Sequence, residues 1–465
     1  MAEAAGLLAA RGVRGFALLD SALPAPAAGR FATGRWSFLT LAPFGLCRVR
    51  EGRAFWNGTP LAGPPLAALR RLCARWRLPA AEAPDVAPFR GGAAGYVAYD
   101  FGARLERASQ PRLPGGVDDM AFGFHDVVAA HDHLTGRVTV FSSGFPETGA
   151  AGAARAARRG AQMQALLQAA AAAAPAAPGR GPALRFSASH DRPAWEAAVE
   201  RVKDYIRAGD IYQANVARRF SAPSPPDFDA FALYRALRAE NPAPFAAFMD
   251  FGDVAIASSS PERFLALRGG VVETRPIKGT ARRSDDPRED AAIAAALRAS
   301  EKDRAENVMI VDLLRNDLSR VARPHGVRVT ALCALETYAG VHHLTSAVEA
   351  ELAAGRDAFD LIAATFPGGS ITGAPKIRAM DIIAEIEGRG RGVYCGAIGY
   401  IGFDGDMDLN VAIRTVQVAG GEISLHAGGG VTLLSDAAAE FEETEAKAAR
   451  LFAAFRRLER GAPCC

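Results

Sequence analysis

Short apolar runs bounded by glycine and proline recur along the chain, and helical segments separate only some of them. Early runs such as Gly15–Leu19 and Trp36–Leu41 have the length and flanking turn residues of strands. Late runs at Asn410–Val418 and Glu422–His426 repeat the pattern before a final helix predicted over Asp436–Leu458. Because strands and helices do not alternate regularly, the pattern argues against repeated βαβ units and predicts an α+β fold.

One segment of biased composition divides the chain. Residues 149–187 are mainly alanine, arginine, proline and glycine, with a helical piece predicted around Arg155–Ala174. This composition is typical of a linker. We therefore predict an N-terminal region over residues 1–148, a linker over 149–187 and a larger domain over 188–460.

Composition argues against several classes of function. A net charge of +3 without a lysine-rich tract predicts no nucleic-acid surface. The longest low-polarity tract, Ala165–Ala174, is too short to span a bilayer, and the N-terminus lacks the features of a signal peptide. Six cysteines are scattered without metal-type spacing, which predicts reduced thiols and a cytoplasmic location.

Lysine is rare in this chain, which has five lysines beside 49 arginines. Arginine stays protonated at any working pH, whereas a lysine can lose its proton and act as a nucleophile. A lysine retained in such a chain is therefore a candidate amine, although a point charge would also account for it. Lys278, in the stretch T-R-P-I-K-G-T from Thr274 to Thr280, is the leading candidate.

Glu262 is an acid that a hairpin could bring beside Lys278. It lies in the stretch S-S-S-P-E-R-F, which runs from Ser258 to Phe264. A carboxylic acid beside an amine combines proton donation to a leaving group with a nucleophile, as a displacement requires. Arg275 and partial burial would help Lys278 to lose its proton. A structural salt bridge, or an exposed lysine, is the alternative interpretation.

Two predicted helices each carry a pair of carboxylates three residues apart. Asp303 and Glu306 share one helix face, and Glu440 and Glu443 share another, with Lys447 one turn further along. Together they would form a hard-oxygen site suited to Mg²⁺, which takes one or two carboxylates plus waters and a substrate anion. Solvated helix faces are the alternative, but the first helix continues with an apolar run that is unlike a surface helix.

Other stretches offer groups for a small polyanionic substrate. The stretch P-G-G-S-I-T-G-A-P-K from Pro367 to Lys376 is not a phosphate loop, because Ala374 and Pro375 separate its glycine from the lysine. The A-G-G-G run is predicted to present backbone N–H groups as an anion-binding nest. An arginine on a predicted strand could fork a carboxylate, and a tyrosine could add a hydroxyl. The candidate ligands of the substrate are Ser370, Thr372, Tyr394, Arg414, Gly428, Gly429 and Gly430. The pair His342–His343 is interpreted mainly as packing or hydrogen bonding.

The motifs over Ala188–Leu458 resemble those of the chorismate-utilising enzymes, the family of anthranilate, isochorismate, salicylate and aminodeoxychorismate synthases. The resemblance rests on S-P-E-R-F, P-I-K-G-T, D-R-A-E-N-V-M-I-V-D-L-L-R-N-D-L, P-G-G-S-I-T-G-A-P-K, and A-G-G-G-V followed by E-F-E-E-T-E-A-K. The N-terminal motifs L-L-D-S, G-R-W-S-F and G-G-A-A-G-Y-V-A-Y-D are similar to the extra region of the anthranilate and aminodeoxychorismate members. The resemblance implies large antiparallel sheets packed face to face with helices outside.

Within this family the resemblance implies a choice of reaction. Water-using members carry a lysine base where this chain has Gln213, which implies ammonia as the nucleophile. Anthranilate synthases have alanine where this chain has Lys278, a residue similar to the attacking lysine of the aminodeoxychorismate-forming members. Glu262 would be the general acid. Glu306 and Glu443 would hold Mg²⁺ with help from Asp303 and Glu440, and His343 and Lys447 would lie near the substrate.

The resemblance also implies a tryptophan pocket and partners. The pocket would be lined by Ser21, Arg35, Trp36, Ser37, Phe38, Pro244, Phe245 and Ala246. The signature L-L-D-S replaces the L-L-E-S of tryptophan-inhibited relatives. No glutaminase segment is recognised, so a separate glutamine amidotransferase would supply ammonia and a separate lyase would form p-aminobenzoate. The alternatives are anthranilate synthase component I and, from another class, a non-catalytic subunit that binds chorismate or tryptophan.

Overall fold

The computed structural model describes residues 1–23, 29–80, 86–109, 111, 116–173, 181–338 and 340–461. The helices are α1 (Ala2–Ala10), α2 (Pro65–Cys73), α3 (Phe101–Glu106), α4 (Gly149–Ala172), α5 (Arg192–Arg207), α6 (Ala230–Glu240), α7 (Pro287–Ala299), α8 (Glu301–Ser319), α9 (Ala358–Thr365), α10 (Lys376–Glu387) and α11 (Ala437–Arg460), with a short 3₁₀ helix at Gly369–Ile371.

Most strands have seven residues or fewer, and many follow one another as hairpins. The strands are β1 (Ala17–Asp20), β2 (Trp36–Thr40), β3 (Gly45–Arg50), β4 (Arg53–Trp56), β5 (Thr59–Pro60), β6 (Gly92–Val97), β7 (Met120–His125), β8 (Val127–Asp132), β9 (Arg137–Ser142), β10 (Ser187–Ala188), β11 (Gln213–Pro223), β12 (Phe245–Asp250), β13 (Val254–Ser260), β14 (Arg263–Arg268), β15 (Val271–Arg275), β16 (Ile277–Arg282), β17 (Ala322–Thr337), β18 (Val341–Leu352), β19 (Gly373–Ala374), β20 (Ala397–Gly402), β21 (Met407–Val411), β22 (Thr415–Ala419) and β23 (Glu422–Val431). The longer strands are β11, β17, β18 and β23.

In the described part of the chain these strands form two sheets, of eleven and twelve strands. The first sheet has the order β10-β11-β23-β22-β13-β12-β1-β2-β8-β9, with β19 paired to β11. The second has the order β16-β18-β15-β14-β21-β20-β6-β7-β3-β4-β5, with β17 paired to β18. Neighbouring strands run antiparallel.

The two sheets pack face to face around a shared apolar core. Phe38 of the first sheet meets Tyr400 of the second with ring centroids 5.7 Å apart, and Phe89 stacks on Tyr400 at 4.3 Å. The outer face of the first sheet packs against α1, α4, α6 and α11, and that of the second against α2, α8 and α9. The α+β fold predicted from the pattern of strands and helices is therefore confirmed, as are the face-to-face antiparallel sheets that the family resemblance implied.

Both sheets are built from both halves of the chain. The first sheet joins β1, β2, β8 and β9 to strands that begin at residue 187 or later, and the second joins strands β3–β7 to strands beyond residue 260. The division into 1–148, 149–187 and 188–460 therefore does not separate two sheets. Much of the segment predicted as a linker is the 24-residue helix α4, whose Met163 and Leu166 are buried in the core beneath the first sheet.

Local signals in the sequence account for several element boundaries. Helix α5 begins after Asp191, whose carboxylate accepts a hydrogen bond from the Ala194 N–H at 3.0 Å, as expected for an N-cap residue. Trp195, Val199 and Val202 form its buried face, at the predicted helical spacing. Gly209, with φ +82°, follows the helix in the left-handed region that suits glycine.

One predicted strand, Asn410–Val418, is wrong. The chain forms β21 up to Val411 in the second sheet and β22 from Thr415 in the first, with Arg414 at φ +51° between them. A second crossing, from β13 to β14, occurs at Pro261 and Glu262. Apolar alternation is the same in either sheet, so it gives no signal where a chain passes from one to the other. Both crossings carry predicted site residues.

Candidate active site

A cavity of about 520 Å³ lies where both crossings meet β16, β23, α8 and α11. Most of the predicted site residues line it together, although they come from distant parts of the chain. These are Glu262, Lys278, Asp303, Glu306, His343, Ser370, Tyr394, Arg414, Gly428, Gly429, Gly430, Glu443 and Lys447.

Lys278 lies in an irregularity of strand β16. Ile277 pairs with Thr345 and Thr280 with His343, so Lys278 and Gly279 together oppose a single residue of β18. A bulge of this kind re-aims side chains and is common beside active sites. Gly279 has φ +83°, and a Cβ at this position would lie 3.1 Å from Cβ and Cγ of Asp303. Glycine therefore permits both the bulge and its contact with helix α8.

The surroundings of Lys278 shift its amine towards the neutral form. Burial lowers the pKa of Lys278, and it outweighs the opposing influence of Glu306 and Glu262. In the described ranges, its amine has neither a hydrogen-bond partner nor an ion pair. A lysine with a lowered pKa and a free amine is suited to nucleophilic attack.

Glu262 is the buried acid beside Lys278. Glu262 is only 5% exposed, and the Ser370 hydroxyl donates a hydrogen bond to Glu262 Oε1 at 2.7 Å. Burial raises the pKa of Glu262 to about 7, against the lowering effects of Ser370, Lys278 and the Ile277 N–H. The β14–β15 hairpin pairs Arg263 with Arg275, so its open end holds Glu262 and the start of β16 together, as the sequence predicted.

The predicted metal-binding carboxylates line one wall. Asp303 and Glu306 lie on α8, and Glu443 lies on α11 with a salt bridge to Lys447. Burial raises the pKa of Glu306. Burial would also raise that of Glu443, but Lys447, Lys302 and Lys278 leave it lowered.

The donor set fits Mg²⁺, although it is not a closed cage. In the described residues no three His, Cys, Asp or Glu side chains converge closely enough to form a preorganised metal site. A Cβ on Gly429 would lie 3.2 Å from Glu440 Oε2 and 3.4 Å from Glu443 Oε1, so glycine leaves open a space beside two carboxylates. Mg²⁺ commonly uses only one or two protein carboxylates and takes its other ligands from water and substrate.

Thr372 and Glu440 were predicted at the site but do not line the cavity. The Thr372 hydroxyl donates to the Gly368 carbonyl at 3.0 Å, and the Thr372 carbonyl accepts from the Asn215 N–H at 2.7 Å. Thr372 therefore braces the 3₁₀ turn that carries Ser370. Glu440 is buried behind the wall, where Ser435 donates to it at 2.8 Å.

The predicted anion-binding nest is wrong. Gly428, Gly429 and Gly430 are extended residues of β23, paired with β11, and none has the left-handed backbone that a nest needs. A Cβ on Gly428 would lie 2.1 Å from the Val216 carbonyl oxygen, so glycine here permits close approach of two strands.

Several polar groups of the cavity are neutral near neutral pH. His343 accepts or donates a hydrogen bond to Thr280 at 2.8 Å, and burial, helped by Arg414, lowers its pKa to about 4. Tyr394 stacks on His426 with ring centroids 4.8 Å apart. Burial raises the pKa of Tyr394 and lowers that of His426. His342 instead contacts Thr337 and Asp290, away from the cavity lining.

Sequence reasoning missed some lining residues. Lys302, Arg391, His426 and Arg450 line the cavity without having been predicted to do so. The rarity of lysine could have singled out Lys302. Arg391 holds two walls together, since it donates to the carbonyls of Ile371 and Asn215 and pairs with Glu387, but the sequence around it carries no such signal.

Gln213 lies behind the cavity wall. Its side chain is fully buried, and neither of its amide atoms has a hydrogen-bond partner among the described residues. A Cβ on Gly430 would lie 2.1 Å from Gln213 Nε2, which shows how closely the amide approaches this strand. Asn215 and Val216, further along β11, line the cavity while Gln213 does not.

A second cavity, of about 430 Å³, coincides with the predicted tryptophan pocket. Ser21, Trp36, Phe38, Pro244, Phe245 and Ala246 line it, together with Asp20. Arg35, just before β2, and Ser37, within it, do not line the cavity, because they alternate with the lining residues Trp36 and Phe38 and face the opposite way. Arg35 pairs with Asp132 at 2.9 Å, and Ser37 donates to Asp20 at 3.1 Å.

Asp20 is already engaged by protein groups. Its carboxylate accepts hydrogen bonds from the Tyr234 hydroxyl at 2.8 Å and from Arg238 Nε at 2.6 Å.

No helix in the described ranges has both the length and the apolar character needed to cross a bilayer.

Comparison with known proteins gives one family for most of the chain. Residues 35–453 match the family described as chorismate binding enzyme. The chain is 41% identical to aminodeoxychorismate synthase component 1 of Klebsiella aerogenes, over 87% of this chain and 85% of that protein. It is also 41% identical to anthranilate synthase component 1 of Streptomyces coelicolor, over 87% and 80%.

A solved structure supports the same conclusion. Anthranilate synthase component I from Streptococcus pneumoniae superposes with a TM-score of 0.79 at 34% identity, covering 90% of this chain and 92% of that one. Relatives of both names match to the same degree, so identity alone does not choose between the two reactions.

Proposed function

Because this chain belongs to the chorismate-binding enzyme family, we propose that it converts chorismate and ammonia to 4-amino-4-deoxychorismate, as the component 1 of an aminodeoxychorismate synthase. The observation that carries this choice is Lys278, a partly buried lysine with a lowered pKa and a free amine within the described residues, in the same cavity as the acid Glu262. The product leads towards p-aminobenzoate and folate.

In the proposed reaction the amine of Lys278 bonds to C2 of chorismate while the bond from C4 to its hydroxyl breaks. Glu262 donates the proton with which that hydroxyl leaves as water. Ammonia then bonds to C4, the C2–lysine bond breaks, and the lysine is regenerated. The balance is one ammonia consumed and one water released, with the enolpyruvyl group kept.

The surroundings of both groups support these roles. A general acid is most effective when its pKa lies near the working pH, and burial brings that of Glu262 to about 7. Burial lowers the pKa of Lys278 and so increases its unprotonated fraction. Ser370 fixes the Glu262 carboxyl through its hydrogen bond of 2.7 Å.

We propose that Glu306 and Glu443 hold Mg²⁺, with Asp303 and Glu440 close by. When bound, the cation would neutralise a substrate carboxylate that otherwise faces these acids. Other residues that line the cavity would contact the substrate. These are Arg414, Tyr394, His343, Ser370, Lys447 and the glycines of β23, Gly428, Gly429 and Gly430. Thr372 and Gln213 do not line the cavity, so they would support its wall and would not contact the substrate.

The product assay decides the function. The isolated protein is incubated with chorismate, Mg²⁺ and ammonium at high pH, and the products are separated by chromatography. We expect p-aminobenzoate to form only after an aminodeoxychorismate lyase is added. Direct formation of anthranilate would instead establish the second candidate, which the equal similarity to anthranilate synthase component 1 keeps open.

A separate glutamine amidotransferase is proposed as the partner, since the relatives are named as component 1 of a synthase. We expect the isolated chain to use ammonium but not glutamine, and glutamine use to appear when a suitable amidotransferase is added. Glutamine-dependent turnover by the isolated chain would contradict this proposal.

The second cavity is proposed to take tryptophan. The Asp20 carboxylate is already satisfied by Tyr234 and Arg238, so we expect tryptophan to bind as a structural ligand, not as a strong inhibitor. Calorimetric titration tests binding, and chorismate consumption in the presence of tryptophan tests inhibition.

A further inference from the structure

Arg450 lines the active-site cavity of about 520 Å³ from helix α11, although no sequence motif predicted it there. It follows Lys447 by three residues and Glu443 by seven, a spacing that places all three on one helix face. All three line the cavity. The helix therefore presents a carboxylate, an ammonium and a guanidinium to the same space.

Arg450 has no carboxylate partner within the described ranges of the chain. The hydrogen bond found for its side chain goes to Asn241 Oδ1, at a long 3.4 Å. Arg457, two turns further along α11, shows the usual situation, with a salt bridge of 2.7 Å to Glu240. Arg450 is thus a partly buried cation that the surrounding protein leaves without a counter-charge.

Arg414, on the neighbouring wall of the cavity, also lacks a carboxylate partner, since it forms no salt bridge in the described residues. Burial, together with the charge of Arg450, lowers the pKa of Arg414 to about 10 against the opposing effect of Glu262. Burial, with the charges of Arg414 and Arg450, lowers the pKa of His343 to about 4, so its imidazole is neutral near pH 7. Glu262 is the acid that acts on Arg414, and in the proposed reaction it must hold a proton.

Two neighbouring cations without an anion are unfavourable in a partly buried site, and a bound anion relieves that cost. Chorismate carries two carboxylates, and in the proposed function Glu306 and Glu443 would hold Mg²⁺ against one of them. The second carboxylate needs its own cations, away from that wall.

We infer that Arg450 and Arg414 together bind the second carboxylate of the substrate, so that Arg450 is a substrate-binding residue. This inference rests on the proposed function for the identity of the substrate. It requires only that chorismate binds, and it holds for either product.

The test compares Arg450→Gln, Arg450→Met and Arg450→Lys with Arg456→Gln, a control at an exposed arginine on the same helix outside the cavity lining. Chorismate consumption is followed at saturating ammonium and Mg²⁺, so the result does not depend on which product forms. We expect KM for chorismate to rise about tenfold or more in the neutral variants, because a charge-assisted hydrogen bond is lost. We expect kcat to change much less, Arg450→Lys to keep KM within about threefold, and Arg456→Gln to match the unmodified protein.

An unchanged KM in a neutral variant whose Tm equals that of the unmodified protein would overturn the inference. So would a fall in kcat alone, since that assigns Arg450 to the chemical step. A KM in Arg450→Lys as high as in the neutral variants would remove the role of the charge.

A second measurement uses the unmodified protein and does not depend on the folding of variants. Phenylglyoxal labelling with peptide mapping is performed with and without chorismate. We expect chorismate to protect Arg450 and Arg414 but not Arg456. Labelling of Arg450 at an unchanged rate in saturating chorismate would overturn the inference, whereas a failed product assay would overturn only the proposed function.

Discussion

Replacement of Glu262 by glutamine should abolish activity and yet stabilise the protein above pH 7. The reason is that burial raises the pKa of Glu262 to about 7, from an ordinary 4.5. Between these two values the folded protein holds a proton that the unfolded chain has released. Stability from this group therefore decreases as pH rises from about 4.5 to about 7 and stays reduced above that range.

The size of the effect follows from the shift. About 2.5 pKa units at about 1.36 kcal/mol per unit give roughly 3 kcal/mol above pH 7. Glutamine cannot ionise, resembles the protonated acid in shape, and retains an oxygen to accept the Ser370 hydrogen bond. At about 2.1 cal/mol/K per residue, a chain of this length has an unfolding entropy near 1 kcal/mol/K. If it unfolds as one cooperative unit, the Tm of Glu262→Gln should be roughly 3 °C higher at pH 8.

The assay is thermal unfolding followed by circular dichroism from pH 5 to pH 8.5, without substrate or Mg²⁺. The difference in Tm should be small at pH 5 and should grow through pH 7. Glu459→Gln, at an exposed position on α11, is the control and should show no pH-dependent difference. A lower Tm for Glu262→Gln at pH 8, or a difference that does not depend on pH, would refute the buried-acid reasoning.

Other perturbations probe separate parts of the structure. Lys278→Ala should lower kcat roughly 10³-fold or more, and mass spectrometry should find no covalent adduct with chorismate; an adduct on another residue would contradict the role. Gly429→Ala places a methyl group 3.4 Å from Glu443 Oε1, so the Mg²⁺ concentration for half-maximal activity should rise roughly tenfold at an unchanged Tm. Lys376→Met leaves the buried Asp317 carboxylate without its partner, which should cost about 3–5 kcal/mol and lower Tm by a few degrees.

Helical spacing was enough to predict much of the carboxylate wall that we propose to hold Mg²⁺. Asp303 and Glu306 lie on the cavity side of α8, and Glu443 and Lys447 lie on that of α11, as their separation along the chain suggested. The apolar run after Glu306 correctly indicated a helix packed inside the protein, since Ile310 is buried. Helical periodicity and the apolar character of a run are local properties, so a single sequence contains them.

Sheet membership could not be read in the same way. Glu262 and Arg414 lie at crossings where the chain leaves one sheet and enters the other, and residues on both sides have the alternation of ordinary strands. The anion-binding nest predicted for Gly428–Gly430 is wrong because Gly428 and Gly430 permit close contacts with β11 that only the fold reveals. The interleaving of both chain halves in each sheet has the same origin, since long-range pairing leaves no mark on local composition.

The lysines mark the limit of the compositional argument. Lys278, Lys302 and Lys447 line the cavity, whereas Lys376 is an internal partner of Asp317. The fifth lysine, Lys203, pairs with Glu200 outside the cavity, so rarity alone does not separate a lysine that serves as an amine from one that serves as an ammonium. The surroundings separate them, because Lys376 is held by a carboxylate and a carbonyl while the Lys278 amine has no partner in the described residues. The absence of a carboxylate partner among the described residues likewise singles out Arg450, whose side chain has only a long hydrogen bond to Asn241, and no count of arginines contains that property.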